Sequence, residues 1–260
     1  MDPNLASTAL VIAHPGHELR VHHWLELAKP AVCVLTDGSG RTQRSRLAST
    51  TGVLARTGAT AGAIYGRFTD GDIYAAIRRG DHAVFTGLAE ELAGWLVAGG
   101  FTEVAGDAIE WYNTSHDLCR YVISAAARLV RQRTGRELVL WQFLLVGPPD
   151  ACPEDKRARA RWIRLDEAAL RRKLAAAEDY PELAAEVAAV RQKFGVAPFT
   201  VEGLLPTSVE EGFTAEPAGK AYYEEYGEKQ VAAGHYTEVI RYRDHILPLR
   251  DRLRQLAGPV

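Results

Sequence analysis

The chain has 260 residues, 47% apolar and 25% charged, enough to bury an ordinary core without a disulfide or metal staple. A formal net charge of −2 offers no electrostatic footprint for nucleic acid or an anionic membrane, so a small-molecule partner is the expectation. Cys33, Cys119 and Cys152 form no Cys-x-x-Cys arrangement, the N-terminus lacks a basic signal region, and no apolar run reaches membrane length, which together point to a reducing cytoplasmic setting.

In chain order, the β-branched runs "TALVIA" and "AVCVLTD" read as strands, and "ELRVHHWLELAK" between them reads as a helix, making one βαβ unit. A helix over about 42–56 follows, then a weak strand at "ATAGAIYG" and a helix over 83–98 stopped by Gly99-Gly100. "FTEVAGDA" is the next strand. The segment after it is a strong helix in which Leu118, Val122, Ala125 and Leu129 recur at helical spacing, Thr114 and Asp117 resemble a capping box, and Gly135 closes the last turn. "ELVLWQFLLVGPP" completes the alternation, which predicts an α/β fold: a Rossmann-like, mostly parallel sheet flanked by helices, over residues 1–150.

From 151 to 260 the texture becomes helical and charged, with one-sided apolar stripes at Leu183, Val187, Val190 and Phe194 and at Ile246, Leu249, Leu253 and Leu256. A helical C-terminal extension is expected. The basic cluster "KRARARWIR" reads as a solvated helix face with Trp162 packed inward. The loop-rich "APFTVEGLLPTSVEEGFTAEPAG" is placed to hang over a pocket, and the tyrosine-rich segment after it suits a lid or a homo-oligomer contact.

Half of the eight histidines fall within residues 14–23. In an open α/β sheet, ligands sit outside the carboxyl ends of the strands, where His14 and His17 lie three apart across a tight Pro15-Gly16 turn. His116 stands at a comparable place after a later strand. Three neutral imidazoles with a water make a known catalytic zinc set, in which the ion acidifies that water and polarises a carbonyl. One divalent ion, zinc first and iron the alternative, is therefore expected on His14, His17 and His116; structural hydrogen bonding is the plain competing role for each. Asp37 is placed to orient a ligand histidine through its free ring nitrogen. Arg46 offers a planar fork of donors to a substrate, with a surface role as the alternative, and Trp111 and Tyr112 would form a stacking wall unless they belong to the core.

These residues resemble a known family. "ALVIAHPGHE" is similar to the opening of the PIG-L/LmbE-type deacetylases, whose signature is an apolar strand followed by Ala-His-Pro-Asp-Asp-Glu. "VCVLTDGSG" is similar to their second strand and Thr-Asp-Gly turn, "RSRLAST" to their Arg-rich helix start facing the substrate, and "AIEWYNTSHDL" to the segment carrying their third metal ligand. The resemblance spans roughly residues 8–145 and implies a zinc-dependent hydrolase of N-acetylated amino sugars and related small molecules, in a bacterial biosynthetic route.

The departures are specific. Where that family has its general base and its carboxylate ligand, this chain has Gly16 and His17, and Asn113 replaces a histidine thought to stabilise the transition state. A glycine accepts no proton, and general-base assistance contributes roughly 10²- to 10⁴-fold. If hydrolysis persists, another carboxylate must serve, with Glu18, Asp37, Asp107, Glu110 and Asp117 nearest the motifs; Glu18, Asp37 and Asn113 are the catalytic candidates. The alternatives are non-hydrolytic metal chemistry at a three-histidine site and a non-catalytic ligand-binding relative.

Overall fold

The computed structural model describes residues 7–256 and 258. Its first half follows the alternation: β1 (Thr8–Ile12), a 3-10 turn (His17–Val21), α1 (His22–Ala28), β2 (Ala31–Thr36), α2 (Leu47–Thr57), β3 (Thr60–Phe68), α3 (Asp70–Arg78), α4 (His82–Ala98), β4 (Glu103–Asp107), α5 (Thr114–Thr134) and β5 (Val139–Phe143). Then come α6 (Glu154–Arg157), β6 (Arg161–Arg164), α7 (Glu167–Glu178), α8 (Ala184–Phe194), β7 (Val201–Thr207), α9 (Val209–Thr214), α10 (Tyr222–Ala232), a π-helical turn (Tyr242–Ile246) and α11 (Leu247–Leu256).

The seven strands order as β3-β2-β1-β4-β5-β7-β6. β1 to β5 run parallel, and β1 lies between β2 and β4. Both faces of such a sheet are covered, so its strands read as unbroken apolar runs with side chains alternating between two cores. Ala9, Val11, Cys33 and Leu35 pack on the face of α4, α5 and α11, whereas Leu10, Ile12, Val32 and Val34 pack with α1, α2 and α7 residues on the other. The chain leaves β1 toward β2 on one side and returns to β4 on the other, so the crevice beyond the carboxyl ends of β1 and β4 is the topological switch point where such folds bind ligands.

Three local expectations are corrected. The 83–98 helix is preceded by an additional one, α3, whose start is a capping box: the Thr69 side chain accepts the Asp72 N–H and the Asp72 carboxylate accepts the Thr69 N–H. The N-cap of α5 is Asn113, whose Oδ1 accepts the Ser115 N–H at 2.8 Å, in place of the expected Thr114-Asp117 box. The basic cluster is helical only at its start, where Lys156 and Arg157 close α6: Arg161–Arg164 is strand β6, and Trp162 packs against Gly203, where a Cβ would come within 2.5 Å of the indole.

The segment after residue 150 is mostly helical, yet it also completes the sheet. β7 pairs antiparallel with β5, and β6 antiparallel with β7, so one sheet crosses the boundary drawn from the sequence. A fully buried ion pair locks this part to the first half: Lys173 of α7 donates to Glu202 of β7 at 2.8 Å, and Glu202 accepts the N–H groups of His23 and Trp24 at the start of α1. The carboxylate thus satisfies helix-end donors that would otherwise be stranded. Among the described residues, no helix is long and apolar enough to cross a membrane.

Candidate metal centre

β1 ends at Ile12, and the turn after it is held by three anchors. Asp107, the last residue of β4, accepts the Ala13 N–H at 2.8 Å. Glu18 folds back to accept the Gly16 N–H at 2.7 Å and the Thr50 hydroxyl at 2.8 Å. Gly16 itself sits at φ 105°, a conformation side chains rarely adopt. This turn projects His14 and His17 toward the N-terminus of α5, which carries His116.

The three rings meet. Centroids lie 5.3 Å apart for His14 and His17, 5.2 Å for His14 and His116, and 4.5 Å for His17 and His116, all edge to face. Imidazoles bound through single nitrogens to a tetrahedral zinc ion would have centroids about 5 Å apart. No group of three His, Cys, Asp or Glu among the described residues is arranged to hold a metal ion as the side chains stand. The ring spacing is that of a ligand tripod, while the donor atoms are not set for one.

The hydrogen bonds decide the tautomers. His14 Nδ1 lies 3.0 Å from Asp70 Oδ1 and 2.8 Å from Thr36 Oγ1, while the Thr36 hydroxyl donates to the Ala13 carbonyl. A carboxylate only accepts, so His14 carries its proton on Nδ1, and its Nε2 is left as a buried lone pair with no hydrogen-bond partner. His17 Nδ1 likewise donates to Asp107 Oδ2 at 3.0 Å. Carboxylate-oriented neutral imidazoles are the usual support of a metal site. His116 has a buried Nδ1 without a partner, and burial together with the nearby His17 and His14 pushes its pKa well below the ordinary value. The donor chemistry fits a divalent cation: three imidazoles, buried ring nitrogens without partners on His14 and His116, and carboxylates behind His14 and His17.

Burial works to raise the pKa of Asp70, but the hydrogen bond and charge of His14, with Thr36 and the Gly40 N–H, outweigh it and hold the carboxyl below its usual range. Asp70 was not singled out from the sequence. Its signal, the Thr-x-x-Asp start of α3, lies in a stretch that periodicity alone passes over.

The cavity over the rings has a volume of about 460 Å³. His14, His17, His116, Arg46, Tyr112 and Asn113 all line it. The opposite wall is apolar, made by Leu183 just before α8, Val187 and Val190 of α8, and Phe199. Arg46 forms no side-chain hydrogen bond or ion pair among the described residues, so its guanidinium is available to a ligand. Trp111, in contrast, packs its ring edge against Tyr242 in the core, and its backbone is held at φ 56°.

Of the carboxylates suggested from the sequence, Asp107 stands behind His17, and the other four stand elsewhere. Glu18 is fully buried beneath the turn, where burial pushes its pKa up to about 7 against the Thr50 and backbone hydrogen bonds. Asp37 accepts the Ser39 N–H of its own turn, and the carboxylate that reaches His14 is that of Asp70. Glu110 accepts the Leu145 and Val146 N–H groups, and Asp117 those of Glu110 and Trp111. None of these lines the cavity, whose carboxylates are Asp70 and Glu186. At Gly16 itself a Cβ would come within 2.5 Å of a Leu183 methyl, so that side chain covers the place where the resemblance sets a base.

The fold and the switch-point crevice define an α/β architecture shared with crystallised deacetylases. One is the A40926 pseudoaglycone deacetylase Dbv21, 18% identical, with a TM-score of 0.51 over 78% of this chain and 97% of that one. A second is a deacetylase-bog complex from the biosynthesis pathway of teicoplanin, 15% identical, with a TM-score of 0.50 over 77% and 97% of the two chains. At these identities the likeness is one of fold. No protein-family model and no curated protein matches the chain.

Proposed function

We propose that the chain is a metal-dependent, deacetylase-like amide hydrolase acting on an N-acylated amino sugar or similar small molecule, with one divalent ion, zinc first and iron(II) second, held by His14, His17 and His116. The observation that carries this reading is the gathering of three imidazoles at the switch point, two of them held as Nδ1–H tautomers by Asp70 and Asp107. The fold shared with proteins named as deacetylases supports it. A bound divalent ion would supply Lewis acidity toward an amide carbonyl and toward water.

The chain's own residues divide the remaining work. Asp70 and Asp107 orient the rings through their Nδ1 atoms. Arg46 offers donors to a substrate hydroxyl or carboxylate. Asn113 spends its Oδ1 on the Ser115 N–H and its amide on the Tyr74 hydroxyl, 3.2 Å away, and so fixes the mouth of the cavity where the resemblance sets a histidine. The proton given up by an attacking water, and needed by the departing amine nitrogen, has Asp70 and Glu186 as the carboxylates lining the cavity.

Elemental analysis of protein purified without chelators, together with acetate release from N-acetylglucosaminides, tests the reading. One equivalent of divalent metal and metal-dependent acetate release are expected; protein that binds no divalent metal overturns it. A second reading, metal chemistry without hydrolysis, is favoured by the Leu183 methyl over Gly16, and stoichiometric metal without acetate release would select it.

A further inference from the structure

A second cavity, also about 460 Å³, adjoins the first and shares Gly40, Asp70, Tyr74, Tyr112 and Asn113 with it. Its far wall comes from α10 and the loop that follows, through Tyr223, Tyr226 and Tyr236. A run of rings leads into it from the histidine site. Tyr112 stacks on Tyr222 with centroids 4.7 Å apart and planes within 7°, Tyr222 on Tyr226 at 6.3 Å, and Tyr226 meets Tyr236 edge to face at 6.4 Å. These are the separations at which aromatic rings attract one another beyond simple burial.

Several polar side chains of this chamber are already engaged, while the Thr114 and Tyr223 hydroxyls are buried without a partner. Asn113 is bound to Ser115 and Tyr74, both Asp70 oxygens are bound to His14 and Gly40, and Arg78 lies 3.4 Å from the Glu238 carboxylate. A sugar in the chamber would need free donors and acceptors for its hydroxyls, because a polar group buried without a partner costs affinity. Those two hydroxyls and the ring faces remain. We infer that the tyrosine chamber is a second binding site that takes an aryl group, placed so that a substrate with its amide over the three histidines extends an aromatic ring past Tyr112. This deepens the hydrolase reading and rests on it for the position of the amide; the chamber itself does not depend on it.

The test uses probes with no amide, so that it is separate from hydrolysis. Binding of 4-ethylphenol and of its saturated analogue 4-ethylcyclohexanol to the full chain is followed by NMR titration, with methyl β-glucoside as a third probe. The phenol is expected to bind about tenfold tighter than the cyclohexanol, Tyr226→Ala to erase that preference, and Tyr226→Phe, which keeps the ring, to retain it. An unchanged melting curve for Tyr226→Ala ties the loss to the chamber. Equal binding of the two ring probes, a preference that survives Tyr226→Ala, or methyl β-glucoside binding that Tyr226→Ala abolishes would each overturn the assignment. Failure of acetate release alongside a Tyr226-dependent phenol preference would remove the hydrolase reading and leave the aryl site standing.

Discussion

Replacing Gly16 by alanine separates two reasons why that position holds glycine. One is backbone: at φ 105° and ψ −21° an L side chain is strained, at a cost of about 2 kcal/mol. The other is steric: the new Cβ would meet the Leu183 Cδ1 at 2.5 Å, with the next contacts at 3.6 Å and 3.7 Å. Overpacking costs about 1–3 kcal/mol in a tight core, but the obstructing atom here is the terminal methyl of a half-buried side chain that can swing aside, so the low end, about 1 kcal/mol, applies. Gly16→Ala should therefore destabilise by about 3 kcal/mol in the wild type and still by about 2 kcal/mol when Leu183 is also alanine. Urea unfolding of the four proteins of this cycle, followed by fluorescence and circular dichroism together, reads both values. A cost that vanishes in the Leu183→Ala background would refute the backbone argument. Otherwise, trimming Leu183 will not by itself make position 16 fit to carry a side chain.

Glu18→Gln should flatten the pH dependence of stability. With a folded pKa of about 7 against an ordinary 4.5, Glu18 keeps its proton on folding, so its contribution is intact below about pH 4.5 and is lost as pH rises through 7. At about 1.4 kcal/mol per pH unit, that is up to about 3 kcal/mol, and glutamine, which holds the neutral form permanently, should escape it; parallel stability curves for the two proteins over pH 4.5–8 would contradict this. Asp70→Asn should weaken divalent-metal binding by roughly 10- to 100-fold in equilibrium dialysis, because a carboxylate behind a ligand imidazole raises its basicity. Unchanged affinity would leave Asp70 a purely structural partner. His17→Ala and His116→Ala should each lower metal stoichiometry while leaving far-UV circular dichroism unchanged, and full metal content in either variant would remove that ring from the site.

The central strands were legible because each is apolar on both faces, and a strand covered on both sides needs little more than that to be recognised. The same logic set His14, His17 and His116 at the carboxyl ends of β1 and β4, where the switch point brings them together. The supports of these rings were harder to read, because His14 draws its carboxylate from a residue 56 positions away and no local pattern links the two. Asp37, nearer in sequence and in a plausible turn, is engaged within its own loop. The last two strands were obscured for a different reason. β6 is four residues with an arginine at each end, and β7 contains Gly203 and Pro206, which ordinarily argue against a strand. Gly203 is required by the indole of Trp162 lying on it, and Pro206 falls beyond Val201–Leu204, the stretch that β6 pairs with.

That late arrival has a consequence during synthesis. The outer margin of β5 is sealed only by β7, so a ribosome must make about sixty further residues before residues 201–207 reach it. Until then the nascent chain carries an unpaired ladder of backbone donors and acceptors, a template for joining other chains. The finished molecule ends instead on β6, a short strand whose arginines discourage such joining, so chains released before residue 207 should aggregate more than chains carried through α11.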